Sequence, residues 1–184
     1  MKNIDWGRAA EGTAAQTWRL EQLHFHWGRT GKTSEGSEHY LLNRPYAMEG
    51  HFVHHNAKYA DVASAVKSGK KDALLVVGVM FQVGTNPDTV FLKDIGTAIS
   101  TLTTSKNVIK TATDATSFAS FASAAGIAGG GTANAPFFTY AGSLTTPTCN
   151  EDVTWVVLET PMGITRETLD KFFAAKVRSH TQRV

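Results

Sequence analysis

The chain has 184 residues, of which 42% are hydrophobic and 18% charged, with a formal net charge of +2. These values are ordinary for a globular fold with a core of its own, so residues 1–184 read as a single domain. No apolar run reaches the roughly 20 residues of a membrane span, and lysines and arginines are scattered apart from Lys70-Lys71, which argues against a nucleic-acid partner.

The opening "MKNIDWGRAAEG" has no apolar run behind its lysine, so nothing in it resembles a secretory signal. Arg19 to Trp27 alternates Leu, Gln, Leu, His, Phe, His and Trp, the period of a strand. "RTGKTSEGSEH" is a turn-rich loop leading to a second predicted strand, Met48 to Asn56, "MEGHFVHHN", and the two strands are expected to pair as antiparallel neighbours. Ala57 to Lys67 carries Tyr59, Val62, Ala63 and Val66 at helical spacing. Ala73 to Val83, "ALLVVGVMFQV", is almost continuously apolar and predicts a central strand buried on both faces.

Farther on, Leu92 to Leu102 and Thr165 to Val177 predict amphipathic helices, and Asp152 to Leu158 predicts a further strand. Ala119 to Ala135 is dominated by small residues and predicts a loop with little core. No internal repeat is present.

Six of the seven histidines fall between positions 24 and 55. In "LEQLHFHWG" the side chains of His24 and His26 share one strand face, with alpha carbons about 6–7 Å apart, close enough for both rings to lean toward one ion. Catalytic zinc takes three protein ligands and keeps one position open. The third ligand must then come from the second strand, where the pattern leaves His51, His54 and His55 open. His51 is favoured because Glu49, two residues earlier, is placed to take its other ring proton, as Gln22 is for His24. A lone histidine is usually a hydrogen-bonded core residue, and His39, His54 and His180 are read as structural or solvent-facing. H-x-H on one strand followed by E-x-H on the next is far more specific than either alone.

With these residues in view, the chain resembles the α-class carbonic anhydrases. The resemblance is carried by "WRLEQLHFHWG" (18–28), "GSEHY" (36–40), "YAMEGHFVHHNAKYAD" (46–61), "YAGSLTTP" (140–147) and "VTWVVLETP" (153–161), in the family's order. It implies an α+β, mainly β fold: a mixed, mostly antiparallel twisted central sheet with peripheral helices. It implies one Zn2+ on His24, His26 and His51, with Gln22 and Glu49 orienting ligands. It further implies that Thr145 hydrogen-bonds the attacking hydroxide while Glu38 accepts the threonine's own proton. Thr146 would line the substrate site, and Val53, Val76, Leu144, Val153 and Trp155 would form an apolar wall for CO2. The implied reaction is reversible hydration of CO2 to bicarbonate and a proton. A rival reading is a non-catalytic zinc-binding or scaffold protein on the same fold.

Some features depart from the family pattern. From the sequence, the portion before "WRLEQLHFHWG" is not expected to align with the family's N-terminal part, which supplies strands and a proton-shuttling histidine, nor is the family's closing segment expected after "SHTQRV". Strand edges and apolar surface are therefore expected to be exposed unless a partner, such as a second copy in a homo-oligomer, covers them. Thr148 stands where a second proline is common, and His55 where an aromatic is common. The single cysteine, Cys149, cannot form an internal disulfide. It matches a position that is paired in secreted and membrane-anchored members, a hint of extracellular lineage that leaves the location of this chain unassigned.

Overall fold

The structure is a computed structural model that describes residues 16–84, 88–100, 115–125 and 136–175. Its elements are β1 (Trp18–Trp27), β2 (Met48–Asn56), α1 (Val62–Ser68), β3 (Leu74–Val83), α2 (Val90–Ser100), α3 (Ala115–Ala124), β4 (Phe137–Gly142), β5 (Val153–Leu158), β6 (Met162–Ile164) and α4 (Arg166–Ala174). The opening residues 1–15, the ends of the helices predicted to run to Leu102 and Val177, residues 126–135 of the predicted loop, and His180 lie outside the described residues.

The strands form one mixed sheet in the order β1-β2-β3-β5-β4, with β6 also on β3. This is the expected mainly-β class. β3 is central for the reason its sequence suggested: its first eight residues are buried, and only a strand covered on both faces can hold so unbroken an apolar run. It pairs in parallel with β5, in the register Leu74↔Val153, Val76↔Trp155 and Gly78↔Val157. β6 also pairs in parallel with β3, and β4 pairs antiparallel with β5. Ala47 donates to the Phe81 carbonyl and Asn56 to the Ala73 carbonyl, so β2 and β3 run in opposite directions. Likewise the Ala57 amide, just past the end of β2, donates to the Thr17 carbonyl just before β1, as antiparallel neighbours do.

The chain divides into two compact units, Met1–His24 with Gly50–Val79 and Gly126–Thr160, and Phe25–Glu49 with Met80–Ala125 and Pro161–Val184. In the first, the core is formed by Phe52, Val53, the buried run of β3 to Val79, and Val153 to Leu158. The helix expected over 57–67 starts later, at Val62, because Asp61 caps it. The Asp61 carboxylate accepts from the Ser64 amide at 2.7 Å, and the Ser64 hydroxyl accepts in return from the Asp61 amide. The predicted stripe is corrected as well: Ala65 is the buried residue of α1 and Ala63 is exposed. Gly69, at φ 60°, ends the helix in the left-handed conformation that glycine adopts without strain.

In the second unit an aromatic core joins Phe25, Trp27, Phe81, Phe91, Phe121 and Phe172. Phe172 meets Phe25 and Trp27 edge-on at 5.6 and 5.5 Å, and Phe81 stacks on Phe121. Here the reading of 119–135 as a loop with little core is overturned for its first part. α3 runs through Ala124, and Phe121 is fully buried along with Ala122 and Ala125. The small residues hid the helix, and Phe121 anchors it. Asp88 fastens α4: its carboxylate accepts from the Thr165 amide and hydroxyl and from the Thr168 hydroxyl at 2.7 Å. Gly96 of α2 lets α4 approach closely, since a Cβ there would lie 3.1 Å from the Thr168 methyl.

Candidate metal centre

The site begins with strand alternation. On β1, His24 and His26 fall on one face, and on β2 Glu49, His51, Val53 and His55 do. His26 and His51 are buried, at 5% and 1% exposure, and His24 is half-buried. Each of His24, His26 and His51 offers a ring nitrogen within 4.8 Å of the other two. The rings of His24 and His51 stand edge to face at 5.1 Å, and His51 in turn meets the Trp155 ring at 4.8 Å. Three imidazoles this close, two of them removed from water, form the donor set that a borderline-soft divalent ion takes. Strand alternation pointed to His24 and His26, whereas His51 was favoured over His54 and His55 through Glu49 and the family resemblance; the histidine cluster is compatible with metal binding.

Polar side chains surround the three rings. The Gln22 amide nitrogen, Nε2, lies 2.9 Å from His24 Nδ1. Glu38 Oε1 lies 3.4 Å from His26 Nδ1, while its Oε2 is buried without a hydrogen-bond partner. Glu49 is completely buried. Its Oε2 accepts from the backbone amides of Glu38 and His39, both at 2.8 Å, and its Oε1 lies 2.5 Å from His39 Nδ1. A Glu49 oxygen, a His39 nitrogen and a His51 nitrogen also lie within 4.8 Å of one another.

His39, read from sequence as structural or solvent-facing, is half-buried and lies against Glu49. Nothing in its local pattern names that partner, which lies ten positions away. The only signal was its place in "GSEHY".

The 36–39 segment is held by a tight backbone fit. The amides of Gly36 and Ser37 both donate to the Tyr46 carbonyl, and the Ser37 hydroxyl donates to the His39 carbonyl while accepting from the Tyr46 amide. Gly36 has no room for a side chain, because a Cβ would sit 1.9 Å from the Ala47 carbonyl oxygen.

The other histidines of β2 are distinguished by their surroundings. His54 is fully buried on the opposite face, with Nδ1 2.8 Å from the Phe52 carbonyl oxygen, and burial pushes its pKa down to about 4, so it is neutral at physiological pH. His55 is buried with Nδ1 3.0 Å from Glu21 Oε2.

The residues expected to line a substrate site lie in one unit. Val53, Val76, Val153 and Trp155 are buried, and Leu144 and Thr146 are half-buried. Register partners share a face, so Val76, Val153 and Trp155 lie on one side of β3 and β5, the side on which Trp155 touches His51. Trp155 Nε1 donates to the Ser143 carbonyl, which fixes the turn before Leu144. Thr145 is exposed.

A mixed sheet whose neighbouring strands bring three histidines together defines a β-rich protein with a side-chain cluster that could hold a metal ion. A family profile described as eukaryotic-type carbonic anhydrase matches residues 4–183, and the chain belongs to that family. Among its relatives, carbonic anhydrase 7 of Mus musculus is 34% identical over 156 residues, covering 84% of this chain and 53% of that protein. The chain thus spans about half the length of this curated relative. No helix among the described residues is long and apolar enough to cross a membrane.

Proposed function

We propose that the chain binds one Zn2+ through His24, His26 and His51 and supports the reversible hydration of CO2 to bicarbonate and a proton. The observation that carries this reading is the convergence of those three ring nitrogens within 4.8 Å, in a chain that belongs to the carbonic anhydrase family. Bound zinc would act as a Lewis acid that makes water acidic enough to supply a nucleophile near neutral pH.

The remaining work falls to the chain's own residues. Each ligating imidazole must be neutral, with one nitrogen toward the ion and its proton on the other, and a neighbouring acceptor selects that tautomer. For His24 the acceptor is Gln22, whose amide presents its oxygen to Nδ1–H after a half-turn of the side chain. Glu49 supplies a fixed negative charge beside His51. Its lone pairs are already ordered by two backbone amides and His39, so the carboxylate cannot swing away. Thr145 would orient the nucleophile: a threonine hydroxyl whose own proton is taken by a carboxylate such as that of Glu38 would be left to accept, which would aim a lone pair of the attacking oxygen at carbon. The buried, unpartnered Oε2 of Glu38 is an acceptor of the kind this role needs. The apolar residues Val53, Val76, Leu144, Val153 and Trp155, with Thr146, favour a nonpolar substrate over water.

Metal analysis and stopped-flow CO2 hydration on the full chain test the proposal. Wild type is expected to hold one zinc per chain and to hydrate CO2 faster than buffer, and His26→Ala to lose both. A chain with no zinc ends the ligand assignment. Stoichiometric zinc with no rate above buffer would identify a zinc-binding protein without the hydratase activity.

A further inference from the structure

The carboxylate of Glu38 faces two ways. One oxygen, Oε2, is buried and unpartnered, whereas Oε1 lies 3.4 Å from Nδ1 of His26, itself only 5% exposed. We propose that Glu38 is a positioning residue for the metal ligand His26, taking the Nδ1 proton through Oε1 and leaving the other ring nitrogen to the cation, in addition to any role it has toward Thr145. The assignment rests on the zinc reading above.

Three features of the site support it. The carboxylate is presented by a rigid segment: the Glu38 amide donates to Glu49 Oε2, and the Gly36 and Ser37 amides are pinned to Tyr46. The side chain is therefore not a mobile surface group that happens to pass a histidine. The acceptors near the three histidines also differ in charge. Gln22 beside His24 is neutral, and Glu49 is already engaged by two amides and His39. Glu38 brings a second carboxylate to the ligand shell, where three neutral imidazoles leave the double charge of the ion uncompensated. Finally, a carboxylate that holds a ligating histidine fixes its tautomer and raises its basicity, and removing such a partner typically weakens metal binding about 10–100-fold.

Zinc competition against a chromophoric chelator, on the full chain with Glu38→Gln, Glu38→Ala and Thr145→Ala, separates this role from one exerted through Thr145. Glu38→Gln keeps shape and an acceptor but loses the charge, and about tenfold weaker zinc binding is expected. Glu38→Ala loses both and should approach 100-fold. Thr145→Ala should bind zinc like wild type. In the metal-free protein, 15N-detected histidine spectra should show His26 as the Nδ1–H tautomer in wild type and a mixture of tautomers in Glu38→Ala, and thermal unfolding confirms that each variant is folded. Wild-type zinc affinity in both Glu38 variants, with hydration lost as in Thr145→Ala, would overturn the assignment while leaving the zinc reading intact. A wild-type chain that binds no zinc overturns both.

Discussion

β2 and β4 invert the usual distribution of side chains. All nine residues of β2 are buried, and among them are Glu49, His51, His54, His55 and Asn56. Five of the six residues of β4 are exposed, including Phe137, Phe138 and Tyr140 at 42–48%. Among the described residues β4 is an end strand of the sheet and β2 lies inside it, so place in the sheet and not residue character decided burial. The difference teaches what burial demands of a polar side chain. Burying a carboxylate and imidazoles is costly unless they are met by partners, as Glu49 is by two backbone amides and His39, and His54 by the Phe52 carbonyl. Half-exposed aromatics on an edge strand cost little and contribute little by themselves.

The comparison breaks most sharply at Gly36, which holds the segment that serves the buried carboxylate. Gly36→Ala drives a methyl into the Ala47 carbonyl, and a loss of about 3 kcal/mol or more is expected from urea unfolding, at or beyond the upper end for overpacking.

His54 tests the same region through pH. Its folded pKa is about 4 against an ordinary 6.5, so between these values the unfolded chain holds a proton that the folded chain does not. Stability should be full above about pH 7 and fall by about 3 kcal/mol as pH drops to 4. Unfolding midpoints across that range check this, and His54→Gln should flatten the slope.

A smaller effect is expected at Glu49. Glu49→Gln replaces a charged acceptor of two amides and His39 with a neutral one, for a loss of about 2 kcal/mol. Smallest of all, Phe138→Thr on β4 should shift the unfolding midpoint by no more than about 0.5 kcal/mol. A shift as large as that of Glu49→Gln would show that β4 is not the energetically indifferent edge its exposure implies.

What could be read from the chain itself followed from how local each signal is. His24 and His26 share a face because alternation needs only their own strand. β3 announced itself through an apolar run that only a doubly covered strand can carry. The choice of His51 over His54 and His55 was already less local, since it leaned on Glu49 and on the family resemblance. β4 and β6 were not recognised as strands: β4 has aromatic character without a polar-apolar alternation, and β6 is three residues long. α3 was missed because alanine and serine carry no amphipathic contrast, and only the burial of Phe121 reveals its packed face.

The sequence by itself determined which histidines stand on β1 and β2, their spacing, and the family, because side-chain alternation and motif order are properties of the chain. Only the tertiary structure decided that Glu49 serves the amides of Glu38 and His39 and that Glu38 reaches His26. Those pairings join residues about ten positions apart, through a turn that a glycine without room for a side chain makes possible. No periodicity encodes such a contact, since it depends on how two backbones close on each other.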